Sequence, residues 1–194
     1  VQHHFATPWT RYLEEAVPAF EALKAEGVIG AWGLTGVGIP QQIIEALGTA
    51  PGPGVVQIVA NCLDSAGGMR RYAEAARPRD VIAAAAANGV GVMGIRAVQA
   101  GALTDGFDRE LAEDSEDWKD FLRAASFREL AAGLGMTPAY LAHRYALGIP
   151  GVDTVVLGVK NRVELAECVA AEAAGPLDAE LVARVDAAVG RSDD

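Results

Sequence analysis

A chain of 194 residues with a formal net charge of -10 and a pI ≈ 4.7 is long enough to bury a sizeable core, and one domain over residues 1–194 is expected. The acidic balance argues against a nucleic-acid or anionic-membrane partner, because basic patches supply most of the affinity for both. A local cationic pocket for a small phosphate stays compatible with it. The 2 cysteines, Cys62 and Cys168, have no metal-ligand spacing and make no disulfide framework, which fits a reducing cytoplasm. No run reaches the length of a membrane span, and no basic segment precedes a long apolar one as in a signal peptide. Val1 is not a Met and VQHHF enters in mid-strand, so an N-terminally truncated chain is expected.

Residues 1–5 form a short strand candidate interrupted by His3 and His4, and 6–9 a loop. Over 11–26, Leu13, Val17, Phe20 and Leu23 recur at helical spacing, with Pro18 as a start or a kink and Gly27 as the stop. A strand is expected over 28–34. Pro40 opens a helix over 41–47, and the Pro- and Gly-rich segment 49–54 is a loop. A strand follows at 55–60 and an alanine-rich helix at 78–87, stopped by Asn88-Gly89. Another strand lies at 90–95, with a long glycine-containing exit loop over 96–108. The acidic run 110–120 reads as a solvated helix or lid. Helices are expected over 121–134, over 138–147 behind Thr137-Pro138, and over 177–189 with Asp178 as N-cap. The last five residues read as a frayed tail.

The stretch 152–168, VDTVVLGVKNRVELAEC, draws these elements together. Val152, Val155, Val156 and Leu157 read as a parallel strand covered on both faces. Gly158 permits a close turn, and Lys160 and Arg162 put positive charge where strand passes to helix. Asn161 is an N-cap candidate, and Glu164 three residues on completes a capping pattern. A helix N-terminus beside cations is a site for a phosphate. The same residues also describe an ordinary corner with two solvated basic side chains.

Strands alternating with helices about five times imply βαβ crossovers and a parallel sheet. An open doubly wound sheet would carry GxGxxG after an early strand, and GLTGVG at 33–38 does not match it. The other closure is a (β/α)8 barrel, of which five units would be the last five-eighths.

Five blocks carry a resemblance: QHH at 2–4, LKAEGVIGAWGLTG at 23–36, VVQIVANCLD at 55–64, NGVGVMGIRAVQAGALTDG at 88–106 and GMTPAYLAHRYALGIPGVDTVVLGVKNRVELAE at 135–167. Their order and spacing resemble the aldo-keto reductase family from its fourth barrel strand onward. The resemblance implies an α/β fold, a partial TIM (β/α)8 barrel of about strands 4 to 8. It implies an oxidoreductase that uses NADP(H), with NAD(H) as alternative. The reaction interconverts a small carbonyl (aldehyde, ketone or aldose) and an alcohol by direct hydride transfer. His4 falls on the family's catalytic His, which orients the carbonyl; by strand alternation His3 points away. Without the family match, His4 reads as a hydrogen-bonded strand-end residue.

Among cofactor-binding positions, Thr35 stands where the family commonly has Ser and Gln57 on the carboxamide-binding Gln. Gly36 replaces an Asn, and Ile95 stands where an aromatic ring stacks on the nicotinamide. Gly158, Lys160, Asn161 and Arg162 lie in the segment that holds the adenosine 2′-phosphate, and Glu167 matches a residue contacting the adenine amino group. Two departures bear on the cofactor: Glu164 falls where several members have Arg, and Cys168 where they have Asn. An acid near the 2′-phosphate repels it.

The family's Asp, Tyr and Lys precede the fourth strand and are absent here, so the 194-residue chain alone is expected to be inactive. Tyr12, Tyr72, Tyr140 and Tyr145 match no catalytic position and read as packing residues. Trp118, Phe121 and Arg96, on or next to the loop 99–118, could line a pocket, but such aromatics more often fold back on the core. Two other readings stay open: a silent, nucleotide-binding regulatory or interaction relative, and a phosphate-binding barrel lyase or isomerase. No oligomeric state follows. A partial barrel leaves two raw strand edges, so self-association is expected.

Overall fold

The structure, a computed structural model, describes residues 2–4 and 9 by their backbone and residues 10–191 with their side chains. Five strands make one sheet: β1 (Gln2–His4), β2 (Gly33–Thr35), β3 (Val55–Val59), β4 (Gly91–Ile95) and β5 (Thr154–Val155). All neighbours are parallel, and their order across the sheet is their order in the chain. A doubly wound sheet reverses its strand order at a switch point; this one does not, as in a barrel wall. It is a partial TIM barrel.

One covering layer runs α1 (Trp9–Arg11), a π turn over Tyr12–Ala16, α2 (Val17–Ala25), α3 (Pro40–Gly48) and α4 (Pro78–Ala87). It continues through α5 (Glu116–Arg123), α6 (Ala125–Gly133), α7 (Pro138–Leu147), α8 (Arg162–Ala174) and α9 (Ala179–Ala188). Proline opens α3, α4 and α7, where its missing N–H costs nothing. The π turn ends just before Pro18, and the wider ring relieves the clash of a proline ring with the preceding turn. Ser115, Thr137, Asn161 and Asp178 cap α5, α7, α8 and α9 through their side chains.

Burial alternates along β3 and β4. Val56, Ile58 and Val92 are buried in the core shared with Ile43, Val81 and Ile82 of α3 and α4. Burying each such side chain is worth about 1.5–3 kcal/mol relative to exposure. The opposite face carries Gln57, Met93 and Ile95, which are partly exposed. Parallel register puts His4, Thr35, Gln57, Met93 and Thr154 in one row across the sheet.

Three expectations need correction. The strand expected over 28–34 is only Gly33–Thr35: α2 ends at Ala25, Gly27 just past its cap turns the chain (φ 74), and Val28 is 65% exposed. The stretch 152–157 is not covered on both faces. β5 is two residues long and pairs only with β4 among the described residues, so Thr154 and Val156 are exposed. An edge strand with an open inner face buries little. Finally, the acidic run is not all solvated, nor is 121–134 one helix. α5 and α6 meet at Ala124, and Asp120 is buried because it accepts a hydrogen bond from Gln99.

Candidate functional site

Thr35 ends β2 and is 3% exposed, and its Oγ1 has no hydrogen-bond partner among the described residues. A buried hydroxyl left unpaired costs about 1–3 kcal/mol, so one kept at a strand end suits a ligand group that completes it. Gln57 is its register partner on β3 and is partly exposed. Gly36 N–H donates to the Gln57 carbonyl at 2.6 Å. A Cβ on Gly36 would meet that oxygen and Val56 Cγ2 at 2.9 Å each, so the close approach of the two strands requires glycine. Ile95 ends β4. His4 ends β1 in register with Thr35; its side chain lies outside the described residues.

Beneath the ends of β3 and β4 lies a buried polar network that the sequence reading missed. Asn61 Nδ2 donates to the Arg96 carbonyl at 3.0 Å and to Gln99 Oε1 at 3.1 Å. Gln99 Nε2 donates to Asp120 Oδ2 at 2.6 Å. Arg96 donates to Gln99 Oε1 at 2.9 Å and to Asp117 Oδ1 at 2.8 Å. Arg96, Gln99 and Ala100 all take positive φ (60, 46 and 51). That conformation is costly for non-glycine residues, and the network holds the turn in place. Burial lowers the Arg96 guanidinium from its ordinary value, against the pull of Asp117.

The turn forms one wall of a cavity of about 640 Å³. The opposite wall is α7, through Ala139 and His143, and the floor is the β5–α8 turn with the start of α8. Gly158, Lys160 and Glu167 line it as members of the expected site. Asp105, Asp108, Arg109, His143, Glu164 and Cys168 line it too, although they were not among the expected site residues. The helical spacing of Ala139 and His143, and the acids of the loop 99–118, were the available signals. Arg162 and Asn161 are exposed and do not line the cavity, and neither do Thr35 and Ile95, which end β2 and β4, or Gln57, in the middle of β3. Trp118 and Phe121 also lie outside it: they stack on each other at 5.7 Å, with Phe107 beside them and Arg128 over Phe121 at 3.7 Å.

The electrostatics of the β5–α8 turn are settled internally. Lys160 Nζ lies 3.0 Å from Asp108 Oδ2 and 3.6 Å from Glu164 Oε1. The hydrogen bond to Lys160 lowers the Asp108 carboxyl, and the same bond raises the lysine. Asn161 Oδ1 accepts from Val163 N–H at 2.9 Å and Glu164 N–H at 3.0 Å, and Glu164 Oε2 accepts from Lys160 N–H at 2.8 Å. The expected cap is thus present, and it fills the amides expected to receive a phosphate. On the wall, Cys168 Sγ is 3.7 Å from His143 Nδ1. Burial raises the Cys168 thiol and lowers the His143 imidazole.

The aldo/keto reductase family model matches residues 1–189. The chain belongs to the aldo/keto reductase family. Among solved structures, this aldo/keto reductase is similar to the aldo-keto reductase AKR11C1 from Bacillus halodurans in its holo form, at 25% identity and a TM-score of 0.71. The apo form of the same protein gives 25% identity and a TM-score of 0.69. These matches cover 96% of this chain but 59% and 60% of the other, so the chain spans less than two thirds of its relatives' length. No curated protein matches. Among the described residues, no helix of this aldo/keto reductase is long and apolar enough to cross a membrane.

Family members bind nicotinamide cofactors, and the residues present fit the two ends of such a molecule differently. The Thr35 hydroxyl, without a partner among the described residues and beside Gln57, fits a carboxamide, which both donates and accepts. The start of α8 does not fit a phosphate as it stands, since its amides and Lys160 are already engaged.

Proposed function

We propose that this chain is the nicotinamide-binding portion of an oxidoreductase that interconverts a small carbonyl compound and its alcohol. One observation carries the reading: a buried Thr35 hydroxyl with no partner among the described residues, at the end of β2 and in register with Gln57 of β3, in a chain of the aldo/keto reductase family. When bound, the cofactor supplies the hydride. Thr35 and Gln57 orient the carboxamide, and Ile95 offers an aliphatic surface to the ring in place of an aromatic one. His4, at the end of β1, is the residue for polarising the substrate carbonyl with an imidazole N–H. Gly158, Lys160, Asn161, Arg162 and Glu167 flank the adenosine end. Lys160 and Arg162 are the reason to consider NADP(H) beside NAD(H).

Tyr145 donates to Asp186 at 2.5 Å and receives Arg79 and Arg191, and burial with that bond raises its phenol. It is a structural residue, unsuited to giving up a proton. The 194-residue chain is expected to bind cofactor without turning over an aldehyde on its own, because none of its residues falls on the family's Asp, Tyr and Lys, and a cytoplasmic setting suits the reaction. Fluorescence titration with NADH and with NADPH tests the reading. Saturable binding of either supports it, and no response to both removes it.

A further inference from the structure

We infer that the cavity between the 99–109 turn and α8 selects the unphosphorylated ribose of NAD(H) over the 2′-phosphate of NADP(H), with Glu164 and Asp108 as the specificity-determining residues. The inference rests on the nicotinamide-dinucleotide reading above. It starts from the charges that line the cavity: Asp105, Asp108, Glu164 and Glu167 against Arg109 and Lys160.

Both cations already face carboxylates. Lys160 Nζ is shared between Asp108 and Glu164 at 3.0 and 3.6 Å. Arg109 gives Nη2 to Asp117 at 3.3 Å and Nη1 to the Ala100 carbonyl at 3.0 Å. The helix start offers no substitute, because Asn161 and Glu164 occupy the N–H groups of Val163, Glu164 and Lys160. Arg162, the remaining cation, is exposed and outside the lining. His143 adds no charge near neutral pH, since burial lowers its imidazole.

A phosphate monoester brings about −1.5 to −2 charges at pH 7, into a cavity whose lining is already net negative. To be held, it would have to break the Lys160–Asp108 bridge and face Glu164 at close range. A ribose diol brings two hydroxyl donors and no charge. Carboxylates accept from hydroxyls directly, and the bridge and cap stay intact.

Isothermal titration of this polypeptide with NADH and NADPH at low and moderate salt tests the inference. NADH is expected to bind about tenfold or more tightly, with the gap shrinking as salt screens the repulsion. Glu164→Gln removes the charge and keeps one acceptor oxygen for the Lys160 N–H, giving up the bond from Asn161 Nδ2, and Asp108→Asn removes the nearer of the two carboxylates on Lys160. Each is expected to tighten NADPH severalfold while leaving NADH no tighter, or weaker by the lost carboxylate acceptor, so that the preference for NADH shrinks. Circular dichroism confirms that each variant folds. NADPH binding as tightly as NADH, or variants that move both cofactors equally, overturns the inference and leaves the dinucleotide reading standing. Absence of binding by both cofactors overturns the two together.

Discussion

Thr35 and Gln57 are register partners on adjacent parallel strands, and the threonine hydroxyl beside that glutamine is buried without a hydrogen bond to any described residue. Thr35→Val replaces the hydroxyl with a methyl of similar size. The apo protein is expected to gain up to about 1–2 kcal/mol, because an unpaired polar group leaves the interior. Dinucleotide affinity is expected to drop about tenfold, equivalent to about 1.4 kcal/mol. Urea melts and cofactor titrations read the two effects; a loss in both would assign Thr35 to folding alone.

Gly36 cannot be returned to the family's asparagine at no cost. Gly36→Asn places a Cβ 2.9 Å from the Gln57 carbonyl and from Val56 Cγ2. Pushing β2 and β3 apart is expected to cost about 1–3 kcal/mol. Thermal melting checks it, and an unchanged midpoint would show that the strands yield freely.

The Asn61–Gln99–Asp120 network is all buried. Gln99→Leu takes the hydrogen-bond donor from the buried Asp120 carboxylate and one acceptor from Asn61, which keeps the Arg96 carbonyl, and the expected loss is about 3–5 kcal/mol. Asp120→Asn keeps a partner for Gln99 and is expected to lose less. Equal losses in urea unfolding would mean that charge, not pairing, sets the stability there.

Burial lowers the His143 imidazole, with Glu167 opposing. The folded state therefore binds this proton less readily than the unfolded chain, whose imidazole titrates near pH 6.5. The contribution is full above about pH 6.5 and is lost as pH falls through that value toward the folded one. Compared with wild type, His143→Gln is expected to flatten urea midpoints between about pH 7 and pH 5. Parallel curves would remove His143 as the source.

β5 is an edge among the described residues, and Val156, Val159, Val163 and Val169 are exposed near it and along α8. The 194-residue polypeptide is expected to self-associate at micromolar concentration. Sedimentation velocity checks it, and a monodisperse monomer would contradict it.

Local chemistry was legible where one residue type has one use. Pro78 and Pro138 mark the first residues of α4 and α7, Asp178 caps α9, and Asn161 with Glu164 caps α8. The lengths of β2 and β5 were not legible. Valine-rich runs read as buried strands, whereas their burial depends on what covers the inner face. Asp120 was unreadable for a related reason. In an acidic run a carboxylate reads as solvated, and its partner Gln99 is brought to it by a left-handed turn that no glycine announces at 99 or 100. The cavity's charge balance was half visible: Glu164 signalled trouble for a phosphate, but Asp108 acts only because the loop folds over Lys160.

The row from His4 to Thr154 takes one residue from each strand at the same height. Side chains alternate along a strand, so a slip of one position in β3 would swing Gln57 toward the helices and bring Val56 or Ile58 inward. On the proposed role of the Thr35–Gln57 pair, cofactor titration doubles as a gauge of refolding: a chain with native helix content but mispaired strands is expected to give a normal far-ultraviolet spectrum and no titration endpoint.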